Sequence, residues 1–220
     1  MLPPFERNLN PASCLGATAF IDVDAPSIVE TARVIATDSD PVQRAVAVFR
    51  FVRDSLVYRF QACREPADYV ASRILADGGG FCVQKAVVAA ALGRAVGIPT
   101  ALVLSDLRDR SLPPRVIAAL GTDILFHHGL SAFFIEGAWR IADASLSPEL
   151  VARKHYRIVE FTGHADAVQA ATTEDDRPHA EYLRVHGLYA DLPFEQMLAA
   201  FAAGYARADA RLLAEMRLVP

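Results

Sequence analysis

The sequence predicts an α+β fold, with helices packed on a small antiparallel sheet. Composition and pattern carry this reading. Of the 220 residues 53% are hydrophobic and 22% charged, enough apolar surface to fill a core. Apolar residues recur at helical spacing through the first hundred residues, alternate like strands near residues 128–143, and return to helical spacing near the end. Helices, then strands, then a helix is an α+β order. No repeat, low-complexity tract or composition shift marks a boundary, so 1–220 is read as one domain. It comprises an irregular arm over 1–25, a core over about 25–150 and a C-terminal extension over 151–220.

The arm holds Pro3, Pro4, Pro11 and Gly16, which break regular structure. A helix over Ile28 to Ile35 is entered through Pro26-Ser27. Asp40-Pro41 is a helix start, Asp as N-cap and Pro in the first turn, and Val42, Ala45, Val46, Phe49, Val52 and Leu56 trace its apolar face. A shorter helix is expected over Ala67 to Leu75, ended by Asp77-Gly78-Gly79-Gly80. Phe81 to Val96 is helical and closed by Gly97 and Pro99; only Gln84, Lys85 and Arg94 interrupt its apolar surface, so it is expected to be central and buried. Thr100 to Leu104 is strand-like, and residues 106–125 are expected to form a covering loop with a short helix. His128 to Ile135 and Ala138 to Asp143 read as a hairpin turning at Glu136-Gly137. A further strand is expected over His155 to Phe161, a polar loop over Thr162 to Arg177, and a last helix from about Phe194 to Met216.

Charge and cysteine usage narrow the function. The net charge is −4, and of 22 basic residues only Lys85 and Lys154 are lysine, with no basic run, so nucleic-acid binding is not expected. The longest apolar stretch, Ala86 to Leu92, is far short of a membrane span, and the N-terminus has no signal-peptide pattern. A cytoplasmic protein with no membrane partner is therefore expected. Cys14, Cys63 and Cys82 are widely spaced and odd in number, which argues against a disulfide framework or a structural zinc site. No cofactor and no metal are expected.

One cysteine stands out. Cys82 follows three glycines at the first turn of the central helix. Unpaired N–H groups and the helix dipole at such a position stabilise a thiolate and can donate to a developing oxyanion. Cys14 and Cys63 lack that setting and are read as packing residues. A nucleophilic cysteine needs a base, and the base an orienting group. With a two-residue turn at 136–137, paired residue numbers sum to 273, which sets His128 opposite Ser145 and Asp143 opposite Leu130. His128 and Asp143 then share one face as diagonal neighbours, roughly 7–8 Å apart in the backbone. Leu130, Ala132, Phe134, Trp139 and Ile141 share that face, which is expected to pack on the Cys82 helix.

These residues resemble the transglutaminase-like superfamily, which shares the papain-like cysteine-hydrolase arrangement. One half of the likeness is Gly80-Phe81-Cys82-Val83-Gln84-Lys85-Ala86 leading to Gly97-Ile98-Pro99. The other half is His128, Gly137, Trp139 and Asp143 in order. Residues 51–58 look like the family's helix leading to the site, and the last third, through His179 to Tyr182 and Gly187 to Asp191, is similar to stand-alone bacterial relatives. Gly129 and Leu130 depart from the Ala and Trp of many members, and no acidic cluster suggests a calcium site.

The resemblance implies acyl transfer at an amide or ester carbonyl of a peptide, amide or small-molecule substrate. Cys82 would be nucleophile, His128 base and Asp143 orienting residue, and water or an amine would accept the acyl group. The Cys82 N–H would be one oxyanion donor; Gln84, Tyr58 and Tyr69 are candidates for the second. Lys85 is open between activating the thiol, pairing with an acid and reaching to solvent. Residues 107–126 are open between a lid and a simple insertion. Leu198 to Leu213 is read as core or as a homo-oligomer contact. Two alternatives stand beside catalysis: a binding or scaffold protein that keeps the fold, and a metal site built from Cys82, His128 and Asp143.

Overall fold

The computed structural model describes residues 1–60 and 65–215. The N-terminal arm is irregular apart from a 3-10 turn at Pro11–Cys14, yet it is tied to the body. The indole Nε1 of Trp139 donates to the Leu9 carbonyl at 3.1 Å, and Arg94 donates to the Gly16 carbonyl at 2.7 Å. Helix α1 spans Pro26–Ile35 and α2 Pro41–Ser55. Asp40 caps α2, its carboxylate accepting the Val42 N–H at 2.9 Å.

The single helix expected over 67–75 is broken into a 3-10 turn at Pro66–Tyr69 and helix α3 at Ala71–Ala76. The break falls at Val70, which is extended, because the Ala71 N–H is drawn to the Phe20 carbonyl of the arm at 2.9 Å. Two strands too short to show any periodicity, β1 (Val57–Tyr58) and β2 (Gly79–Gly80), pair in parallel. A Cβ on Gly79 would fall 2.2 Å from the Val57 carbonyl oxygen, so this approach needs glycine. Helix α4, Cys82–Ala95, follows at once and is buried on nearly every side, as its sequence demands.

The main sheet is antiparallel, in the order β5-β4-β3-β6. Its strands are β3 (Thr100–Asp109), β4 (Ile124–Ile135), β5 (Ala138–Ala142) and β6 (Ala180–Tyr189). Glu136 and Gly137 both have positive φ, 51° and 77°, the backbone of a tight two-residue hairpin turn. The pairing runs from Ile135 with Ala138 to Ser131 with Ala142, the expected register.

Strand β3 reaches five residues further than expected, and β4 begins four earlier. The segment read as a covering loop therefore shrinks to a connection carrying α5, Pro114–Leu120. No strand forms over 155–161. Helix α6, Pro148–Lys154, stops at His155 in a left-handed conformation, and the Val159 carbonyl is held by the Arg53 side chain at 2.6 Å instead of a strand partner. Strand β6 was not anticipated at all. The single last helix proves to be two, α7 (Phe194–Gly204) and α8 (Ala210–Glu215), and Met216 lies outside the described residues.

Both faces of the sheet are apolar, and each has its own cover. Leu102, Leu104, Phe133 and Ile135 join α1, α2 and α4 in one cluster. Ala101, Val103, Leu130, Ala132, Trp139 and Ile141 join the arm, α5 and α8 in the other. This corrects the expected packing: the face of Leu130, Ala132, Trp139 and Ile141 is turned away from the Cys82 helix. Alternation gave the right grouping of residues, but it is silent on which of two apolar faces a given helix covers.

No helix among the described residues is long and apolar enough to cross a membrane.

Candidate active site

Cys82 is the first residue of α4, 6% exposed. The turn that presents it is held by Gln84, whose Oε1 accepts the Phe81 N–H at 3.1 Å and whose Nε2 donates to the Asp68 carbonyl at 2.8 Å. Gln84 thus serves as a helix-start clamp, with both ends of its amide engaged. Pairing of β1 with β2 sets Tyr58 alongside Gly80 and so beside the thiol. Burial, with Cys82 next in effect, raises the Tyr58 hydroxyl well above its ordinary pKa, which keeps it a hydrogen-bond donor.

His128 and Asp143 stand together, 2% and 1% exposed. Nε2 of His128 is 2.7 Å from Oδ2 of Asp143. The other carboxylate oxygen accepts from the Ser145 N–H at 3.0 Å and from its hydroxyl at 2.5 Å. Oδ2 also accepts from Gln169 Nε2 at 3.0 Å and the Tyr182 hydroxyl at 2.8 Å. Burial pushes Asp143 upward, but His128 and the Ser145 bonds prevail and hold it well below the usual carboxylate range. Burial likewise pushes His128 down, and Asp143 with Cys82 outweighs it, raising the imidazole to about 10. With Nε2 turned to the carboxylate, Nδ1 is the nitrogen left for the thiol. It is buried and has no hydrogen-bond partner of its own.

Gly129 explains how helix and strand come so close. A Cβ there would lie 2.6 Å from Val83 Cα and 3.1 Å from the Cys82 carbonyl carbon. The start of α4 rests directly on the β4 backbone next to His128. The departure from Ala at this position is thus a fitting of the two elements.

Lys85 neither reaches solvent nor forms an ion pair with an acid among the described residues. It is 1% exposed and its Nζ donates to three carbonyls, Ser145 at 2.8 Å, Leu56 at 2.9 Å and Arg53 at 3.4 Å. Burial lowers it to about 7, with Asp143 and Asp54 opposing. It joins the end of α2 to the residue that supports Asp143. Tyr69 is fully buried, edge-on to Phe81 and Phe194. Cys14 is fully buried, and Cys63 lies outside the described residues.

A metal held by Cys82, His128 and Asp143 does not suit this donor set. Nε2 of His128 faces the carboxylate as a hydrogen bond, and both carboxylate oxygens are already occupied by donors. A cavity of about 300 Å³ opens beside His128, walled by Tyr58, Phe60, Leu107, Leu112, Leu125 and Leu146, with Arg153 and Lys154 also contributing. Leu112 and Val116, from the β3–β4 connection, help wall it, so that segment borders the cavity. In the apolar run at the end, Leu213 is buried and Leu198 half-buried against the core.

Sequence reasoning missed Ser145, Gln169 and Tyr182. Buried Ala180 and Tyr182 flanking exposed Glu181 gave a strand signal, but too short to stand out in a polar stretch.

A family model described as the transglutaminase-like superfamily matches residues 30–144, more than half the chain. No curated protein matches. Among solved structures, one from Cytophaga hutchinsonii, described as a candidate cysteine protease, is similar at 16% identity and a TM-score of 0.48 over 81% of this chain and 55% of that one. A candidate protease from Parabacteroides distasonis is similar at 11% identity and a TM-score of 0.37 over 72% of this chain and 30% of that one. The chain thus spans about half, or less, of the length of these structures.

Proposed function

Because the chain belongs to the transglutaminase-like superfamily, we propose that it is a thiol-dependent acyl-transfer enzyme using Cys82, His128 and Asp143. The observation that carries this reading is the His128 ring, bonded through Nε2 to a fully satisfied carboxylate while Nδ1 is unpartnered at the start of α4.

In the reaction, the Cys82 thiolate attacks the carbonyl carbon of an amide or ester, and the carbonyl electrons move to oxygen. The Cys82 N–H, unpaired at the helix start, and the Tyr58 hydroxyl donate to that oxygen. Collapse expels the amine or alcohol, which takes a proton from His128 and leaves a thioester. Water or an amine then gives its proton to His128, attacks the thioester, and releases the thiolate. Asp143 holds the ring orientation and favours the imidazolium throughout. The largely apolar cavity beside His128 suits an apolar acyl group or side chain, with Arg153 and Lys154 favouring an anionic end.

The test is turnover of an activated acyl ester. Cys82→Ala is expected to abolish it, and adding an amine divides the products between hydrolysis and transfer. A retained rate in the variant overturns the proposal.

A further inference from the structure

A second polar cluster lies outside the set of Cys82, His128 and Asp143. Asp106 comes from β3, His127 from β4 and His186 from β6, one residue from each of three adjacent strands. The pairing of β3 shifts register with both neighbours around Asp106. Such irregularities take side chains out of strict alternation and let them converge. His127 and His128, though adjacent, therefore face different partners.

One ligating atom of each residue lies within 4.8 Å of the other two. Nε2 of His186 is 2.9 Å from Oδ1 of Asp106, and Nδ1 of His127 is 3.9 Å from the same oxygen. The two imidazoles lie with centroids 4.2 Å apart and planes inclined by 31°. His127 is 4% exposed, and neither ring nitrogen has a hydrogen-bond partner. A buried imidazole with both nitrogens unmet carries an uncompensated desolvation cost, which a bound cation would relieve.

We propose that Asp106, His127 and His186 bind a divalent first-row transition ion, zinc or a near neighbour, with at least one coordination position open. Two imidazoles and one carboxylate are the donor set such ions prefer, whereas calcium and magnesium take oxygen. Metal–ligand bonds of about 2.0–2.2 Å in tetrahedral geometry place neighbouring donors about 3.3–3.6 Å apart, between the 2.9 Å and 3.9 Å found here. Asp106 Oδ1 also accepts the His127 backbone N–H at 3.2 Å, which fixes the carboxylate. On the open side is a cavity of about 420 Å³, bordered by Phe126 and by Ala200, Ala203 and Gly204 of α7. Those small residues leave room for water or a small oxygen ligand.

The experiment titrates the purified 220-residue chain, freed of metal by dialysis against a chelator, with cobalt(II) and zinc(II). One ion per chain is expected, with visible cobalt absorption bands and a raised Tm. His127 is buried, so its variant risks misfolding, and the partly exposed ligands decide the matter. His186→Ala and Asp106→Asn are each expected to weaken binding by about tenfold or more, and Cys82→Ser to leave it intact. Failure of the wild-type protein to bind either ion overturns the proposal. So does binding that survives both ligand variants, or binding lost in Cys82→Ser, which would place the ion at the thiol.

Discussion

Nε2 of His128 and Oδ2 of Asp143 lie 2.7 Å apart, at the open end of the β4–β5 hairpin. Fifteen residues separate them in the chain, and the turn at Glu136-Gly137 brings them onto one face. Ser145, Gln169 and Tyr182 fill the remaining acceptor sites of the carboxylate, so its strongest pull is spent on the imidazolium.

Asp143→Asn removes the anion that holds His128 protonated. His128 is then expected to titrate below about 10, and the alkaline limb of kcat/KM to move to lower pH. Turnover should fall about 10²–10⁴-fold. A pH–rate profile of the activated ester checks both. The pair also contributes to stability. The His128 share is full below its ordinary 6.5 and is lost as pH rises through about 10. The Asp143 share is present above 3.8 and is lost as pH falls below it.

Gly129→Ala places a Cβ 2.6 Å from the Val83 backbone, which cannot yield as a flexible side chain would. A loss of about 1–3 kcal/mol is expected from urea unfolding. Because the displaced atoms adjoin Cys82, kcat should fall as well, and the same protein preparation serves for both measurements.

Lys85→Met removes the donor to the Leu56, Arg53 and Ser145 carbonyls. In the wild-type protein the folded state releases this proton at about 7 and the unfolded chain at 10.5, so stability contributed by Lys85 rises with pH across that window. Urea unfolding at several pH values should show the rise in wild type and a flatter course in the variant. Loss of the Ser145 anchor should also lower kcat, by about tenfold, or ~1.4 kcal/mol of transition-state stabilisation.

Much of this architecture was legible from local chemistry. The Asp40 cap, the predominantly apolar α4 and the hairpin register each follow from residues within one turn or one strand pair. What escaped depends on partners distant in sequence. The helix over 67–75 breaks because the arm claims the Ala71 N–H, and 155–161 is not a strand because Arg53 holds its carbonyl. Lys85 could not be placed from its own helix, since its acceptors come from α2 and from Ser145. In the site, His128 and Asp143 could be paired by counting from one turn. Tyr182 and Gln169 could not, because they approach Asp143 from β6 and the loop before it. The choice between two apolar sheet faces also needed the three-dimensional packing.

Cys82 is proposed as the nucleophile, with His128 as the group that makes it reactive. The direct test of this is the rate of iodoacetamide alkylation at each cysteine, read by peptide mass spectrometry in wild type and in His128→Ala. Cys82 is expected to be modified at least about tenfold faster than Cys14 and Cys63, with the advantage lost in the variant. Equal rates at the three thiols in the wild-type protein, or a Cys82 advantage unchanged by His128→Ala, would contradict it.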